Sequence, residues 1–406
     1  MTIVDFCGFR ISVQSLLPIN SKTIRYGSSD GAVNVHIDDP IARRLAEELG
    51  KELFLKNHTV EDGKGVKKII CGPADIEIHK SLDGKNYYCI DLARFHFPNH
   101  TFLTFYIFHF KRMFPPDVDY NNPNSIFYQL IRSEFLQWYQ KPLSSDAFSN
   151  FAAADYTKRQ NEKEVIEAIR ELRQNRIPQV AKLIRADKSG SWMTRTMQQF
   201  GVNVRYLGLL RQHLETPAIQ DIALTEMCAR VLSSQLKHLL RETAKKEGMS
   251  RKFLFFELTA KFYNSILNDK VYKPENSTNN TGLLSLSQNK LKIANKRTDS
   301  SLLSLWSSKA AIKKFLSNKF EEALLDEERP ENFDLRQRVH LIRLIFRIQE
   351  KVGVEMKHTT REKLESLGKE KLETFAFSVF DFEGFKFFLH FLDQTQLFPQ
   401  ASLSEG

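Results

Sequence analysis

"PADIEIHKSLDGKNYYCIDLAR", residues Pro73 to Arg94, is the stretch whose reading decides the fold class. Asp83 directly before Gly84 is turn chemistry, because a short carboxylate can bond its own backbone and glycine accepts a left-handed φ. The aromatic and β-branched residues that follow suit a strand. The segment therefore reads as a tight turn feeding a strand. Toward the N-terminus, "FRISVQSLLPI" alternates like a strand, "GSSDG" is a turn, and "VEDGKGVKKII" is a hairpin with glycine at its tip. "DDPIARRLAEELGKEL" begins with Asp as N-cap and Pro as an early helical residue, and Ile41, Leu45, Leu49 and Leu53 give it an apolar stripe.

After Pro142 the texture changes to helix. Glu162 to Arg185 is one amphipathic pattern interrupted at Pro178, and Ala223 to Lys246 is a second, with Leu224, Val231, Leu232, Gln235 and Leu239 near one side. "KPENSTNNTG" (273–282) carries no apolar period, and helical patterns resume from Leu302 to about Leu397. The predicted class is α+β: a mixed α/β region over 1–145, a helical part over 146–268, a polar and basic linker over 269–300, and a helical region over 301–398.

Composition excludes several function classes. The 406 residues carry 42% hydrophobic and 27% charged residues, so wholesale disorder is out. Four cysteines are too few and too scattered for a disulfide scaffold, and "MTIVDFCGFR" lacks a secretory leader, which points to a cytoplasmic compartment. The phenylalanine-rich block at 101–110 is half of the roughly 20 residues a membrane span needs. No Walker A, GxGxxG, HExxH or CxxC motif occurs, and no cofactor or metal set is expected.

Two basic features stand out, and the second holds a large part of the net charge of +10. Arg230, Lys237, Arg241 and Lys245 fall within about a quarter of a helical wheel, a cationic stripe that would face phosphates. The interval 285–319 holds Lys290, Lys292, Lys296, Arg297, Lys309, Lys313, Lys314 and Lys319 against the single acid Asp299, with Trp306 available to stack on a base. The alternatives are a solvated helix face and a merely soluble loop. A different class of reading, an enzyme, would centre on His79, Asp83, Asp91 and Arg94; strand alternation and a turn explain the same residues.

"GFRISVQSLLPI" (8–19), "YGSSDG" (26–31), "LKNHTV" (55–60), the Pro73 to Arg94 stretch, "FPPD" (114–117), "GVNVRYLG" (201–208) and "EMCARVLSSQLKHLLRE" (226–242) resemble, in order and spacing, the Clu domain of the clustered mitochondria family. The motif positions are Tyr26, Gly27, Asp30, His79, Asp83, Gly84, Tyr88, Asp91, Arg94, Arg205, Tyr206 and Gly208. Ile78 and Ser81 stand where many members have glycine. The resemblance implies a non-enzymatic cytosolic protein associated with messenger RNA, ribonucleoprotein or ribosomes and with mitochondrial distribution. Other protein partners are compatible with it; membrane insertion and a small-molecule substrate are not expected. The alternative it leaves is a protein-interaction scaffold without RNA binding. The family pattern also places a ubiquitin-like domain before Gly8 and a tetratricopeptide array after the central region. Their absence from this sequence is what a truncated paralogue or an incomplete gene model would give.

The family pattern runs "DLAR" directly into "MFPPD", so residues 95–112 are an intrusion whose 18 residues correspond to 54 nucleotides, the expectation for a retained intron. Sequencing mature transcripts checks this: the expected message lacks the 54 nucleotides, and a message keeping them in phase makes the block genuine protein.

Overall fold

A computed structural model describes residues 2–6, 8–13, 15–90, 131–184, 190–248, 252–267, 306, 308–367, 375–385 and 388–391. The block at 95–112, the linker at 269–300, Asp91 and Arg94 lie outside them. The architecture is α+β, with strands and one helix ahead of a mostly helical remainder. Chain contacts divide it into two units, one spanning 14–219 and the other formed by 2–13 with 220–391.

In the first unit, β3 (Ile24–Gly27), β6 (Glu77–Lys80) and β7 (Tyr87–Ile90) form an antiparallel sheet in that order, and β4 (Asn57–Glu61) pairs with β5 (Lys67–Cys71) as the expected hairpin. Helix α1 (Pro40–Glu52) starts as predicted: the Asp39 carboxylate accepts from the amides of Ile41 and Ala42, and Pro40 needs no donor there. Its buried face differs from the predicted stripe. Ala42, Ala46 and Gly50 are buried, whereas Ile41 is 46% exposed and Leu49 and Leu53 pack only at the edge. Small residues let the helix approach Tyr26, Val60, Ile70, Ile76 and Ile78 closely, so here the core needs proximity more than bulk. Two close approaches fix the sheet. Gly27 has φ +86°, and a Cβ there would lie 1.6 Å from the Ile76 carbonyl oxygen. The Tyr26 hydroxyl, meanwhile, accepts from the Cys71 amide at 2.7 Å and donates to its carbonyl at 3.3 Å.

The helical part follows with α2 (Ser133–Tyr139) and α3 (Lys158–Glu171), which passes through a π turn (Leu172–Arg176) into α4 (Ile177–Ala181). Pro178 explains the π turn: with no N–H and a ring that crowds the preceding turn, it is accommodated where the Ile177 amide reaches back to the Leu172 carbonyl. Two further helices, α5 (Gly190–Gln199) and α6 (Leu207–Gln212), complete the unit, apart from the opening residues of the next helix.

The second unit is organised by α7 (Pro217–Glu247), whose 31 residues exceed the predicted span. Between Ile222 and Ala229 every residue is buried, so the helix is a core element there. β1 (Thr2–Phe6) lies between β10 (Phe388–Phe391) and β2 (Phe9–Val13) in an antiparallel sheet. Then come α8 (Lys252–Leu267), α9 (Lys309–Lys319), α10 (Leu341–Val352), β8 (Val354–Met356), α11 (His358–Ser366) and β9 (Phe382–Phe385), which pairs with β8. The phenylalanine-rich tail expected to be helical thus supplies two strands. Aromatics around Gly384 suit a pleated ribbon; Phe377 and Phe382 pack on Phe256 and Tyr263 of α8, and Phe375 packs on Phe377.

Replacing Gly27 by alanine should destabilise the first unit by roughly 3 kcal/mol, combining left-handed strain with a backbone clash. Gly31→Ala, at φ +73° with nothing within 4 Å, should cost only about 1 kcal/mol. Urea denaturation of both variants decides; equal losses would contradict the close-approach account.

Candidate functional site

The motif residues of the first unit form the turns that carry the sheet. Ser28 donates to Asp30 at 2.9 Å, and Asp30 accepts from the Asn34 backbone and side-chain amides at 2.9 and 2.7 Å, which holds its carboxyl below the usual range. His79 is 3% exposed. Its Nδ1 is 3.0 Å from the Thr23 hydroxyl and its Nε2 is 2.9 Å from Glu77 Oε2, so both ring nitrogens are engaged inside the sheet. Asp83 accepts from the Ser81 hydroxyl and the Lys85 amide in an exposed turn and stays low for that reason. Ser81 Oγ also accepts from the Asn86 amide at 2.9 Å, so the serine standing at a family glycine position ties this turn together. Ile78, the other departure, is a 2%-exposed core residue. Tyr88, opposite His79 in β7, is half-buried, Gly84 turns at φ +75°, and Arg205, Tyr206 and Gly208 lie at the start of α6, the last two buried. Asp91 and Arg94, the remaining members of the enzyme reading, lie outside the described residues.

Sequence reasoning missed a second buried pair in this unit. His58 Nε2 meets Asp146 Oδ2 at 2.9 Å with both side chains fully buried, and the same oxygen accepts from the Ala74 amide at 2.7 Å. Within "LKNHTV" and "SSDAF" no periodicity marks this pairing, which joins positions 88 residues apart.

The cationic stripe requires a correction, because its members do not form a free row. Arg230 Nε donates to the carboxylate of Glu226, which is fully buried, at 2.8 Å. Arg241 Nη1 donates to the Gly8 carbonyl at 2.6 Å. The β1–β2 turn rests so closely on α7 that a Cβ on Gly8, φ +80°, would lie 2.3 Å from the Lys237 carbonyl oxygen. Of the four cations only Lys245, paired with Glu242 at 2.9 Å, is well exposed. The basic arm divides similarly. Lys290, Lys292, Lys296 and Arg297 lie outside the described residues; Lys313 is 8% exposed and donates to the Pro330 carbonyl at 2.6 Å; Trp306 is 3% exposed and so is not available for stacking. Lys314 is exposed, Lys309 is 3.8 Å from Asp334, and Lys319 donates to the Arg230 carbonyl at 3.0 Å.

What the structure assembles instead is a charge cluster between α7 and α10. Glu226 Oε1 accepts from Arg230 Nε and Lys351 Nζ, and Oε2 from Arg347 Nε, each at 2.8 Å. Arg347 also pairs with Glu350. Burial raises the proton affinity of Glu226, but Lys351, Arg230 and Arg347 outweigh it and hold the carboxyl down at about 2. Burial and the two guanidiniums push the Lys351 ammonium down to about 7. The signals in the sequence were a lone acid within the apolar "IALTEMCARVL" and the i, i+4 pair of cations in "RIQEK".

This is an α+β protein whose sequence-motif residues serve the fold and whose charged residues converge where two helices meet. Residues 1–102 match the family described as CLU, clustered mitochondria, and residues 186–361 match translation initiation factor eIF3 subunit 135. The N-terminal quarter of the chain is thus similar to the Clu domain of clustered mitochondria proteins. Neither the curated proteins nor the solved structures returned a match. Among the described residues no helix is long and apolar enough to cross a membrane.

Glu226→Gln should cost about 3–5 kcal/mol at neutral pH, because it leaves three cations around a neutral amide. In the parent, the carboxyl sits near 2 when folded against 4.5 as a free group, so its contribution is complete above 4.5 and is lost as pH falls toward 2. The loss is on the order of 3 kcal/mol. Denaturant midpoints between about pH 6 and pH 2.5 check this across the window that linkage defines; an equally steep acid limb in the Glu226→Gln protein would contradict it.

Proposed function

We propose that this chain acts without catalysis, as a cytoplasmic Clu-domain protein that associates with messenger ribonucleoprotein and the translation machinery and serves mitochondrial distribution. The observation carrying this reading is the pairing, in one chain, of a clustered-mitochondria segment at 1–102 with a translation-initiation-factor segment at 186–361. Together they relate the protein to translation or mitochondrial distribution. The non-enzymatic part is supported by His79, whose ring nitrogens face Thr23 and Glu77, and by Asp83, spent on its own turn.

A second reading, a protein-interaction scaffold without RNA affinity, draws support from the internal engagement of Arg230, Arg241 and Lys313. The two readings separate by experiment. Ultraviolet crosslinking of the full-length protein in cells, followed by sequencing of attached RNA, should recover messages, and the protein should co-sediment with ribosomal fractions in a salt-sensitive way. Co-sedimentation without recovered RNA would favour the scaffold; neither signal would remove the translation reading.

A further inference from the structure

We propose that the α7–α10 cluster is a binding site for a phosphate group, seated on Arg230, Arg347 and Lys351. Two geometric facts carry this. First, charge does not balance when Lys351 is protonated: Arg230, Arg347 and Lys351 are then three positive groups against Glu226 and Glu350, one positive charge in surplus at a helix interface. Asp221, Glu327 and Glu328 pair with Arg338 instead. Surplus charge at a largely buried site is costly, and it is relieved either by losing a proton or by gaining an anion.

Second, donors remain. Arg230 reaches Glu226 through Nε, and Lys351 through one of its three N–H bonds. The terminal guanidinium nitrogens of Arg230 and two ammonium hydrogens of Lys351 stand outside these bonds to Glu226. Arg230 is 28% exposed and Lys351 16%, so these donors lie at the rim while Glu226 sits beneath them, fully buried. A phosphate matches on both counts. It carries one to two negative charges at neutral pH and several acceptor oxygens, which suit a planar guanidinium fork beside an ammonium. A carboxylate would supply fewer acceptors and a single charge.

Binding would also change protonation. Without an anion, Lys351 holds its proton weakly because burial and two guanidiniums act on it; a phosphate beside it reverses that field, so occupation takes up a proton near pH 8. The phosphate is either free or part of an RNA backbone. The second source rests on the proposed function; the site does not.

Calorimetry of the full chain with inorganic phosphate, at about pH 8 in buffers of different ionisation enthalpy, tests the site. The expected result is saturable binding with uptake of up to about one proton. Lys351→Met should weaken binding by about tenfold or more and abolish the uptake. Lys351→Arg, which stays charged, should bind phosphate without uptake, and circular dichroism establishes that each variant folds. Absence of saturable binding, or equal affinity in the parent and both Lys351→Met and Arg230→Gln, would overturn the proposal. A short single-stranded RNA, titrated in parallel, separates the sources. Phosphate binding with no RNA binding leaves the site standing and removes its link to RNA; RNA binding unaffected by Lys351→Met, with no phosphate binding, overturns the site alone.

Discussion

One buried carboxylate, Glu226, is a strong constraint on the second unit. A fully buried carboxylate on a core helix is tolerated only if donors come to it, and three do: Arg230 from one turn along α7, Arg347 and Lys351 from α10. The position of α10 beside α7 is therefore tied by these ion pairs, while Leu344, Ile345 and Ile348 of α10 are buried. Gly353, at φ +83°, then ends α10 and turns the chain into β8, which pairs with β9. The aromatic packing between the tail and α8 is in turn held by the Asn264 side chain, which bonds both the amide and the carbonyl of Phe377.

The first unit uses its polar residues differently. Asp30, Asp39, Asp62 and Asp83 each accept backbone amides in turns or at a helix start, where a short carboxylate replaces missing backbone partners. His58 and His79 are buried and bonded. The motifs that resemble the clustered mitochondria family thus encode a scaffold: Tyr26 and Gly27 fit one strand against another, and Ser81 closes the turn before β7.

Local features were legible from sequence because they depend on neighbours. The Asp39–Pro40 helix start, the β4–β5 hairpin and the turn at Asp83–Gly84 each follow from residues within a few positions. What was not legible depended on distant partners. The cationic stripe on α7 has the right wheel geometry, yet a wheel does not show that the Gly8 turn lands on Lys237 and Arg241 or that Glu226 draws Arg230 aside. Periodicity likewise gave α1 its bulky stripe, while the core selected Ala42, Ala46 and Gly50. The tail from Phe382 is extended because β8 and β1 offer it partners, which no local pattern contains.

The positive surplus at the α7–α10 contact links the fold to its proposed ligand, and Lys351 reports it. The most direct measurement is the titration of the Lys351 ammonium by the chemical shift of its labelled side chain, in the intact protein and without phosphate. The account predicts a midpoint near 7, far below the 10.5 of a free lysine, moving upward when phosphate is added. A midpoint close to that of a free lysine, unmoved by phosphate, would contradict it.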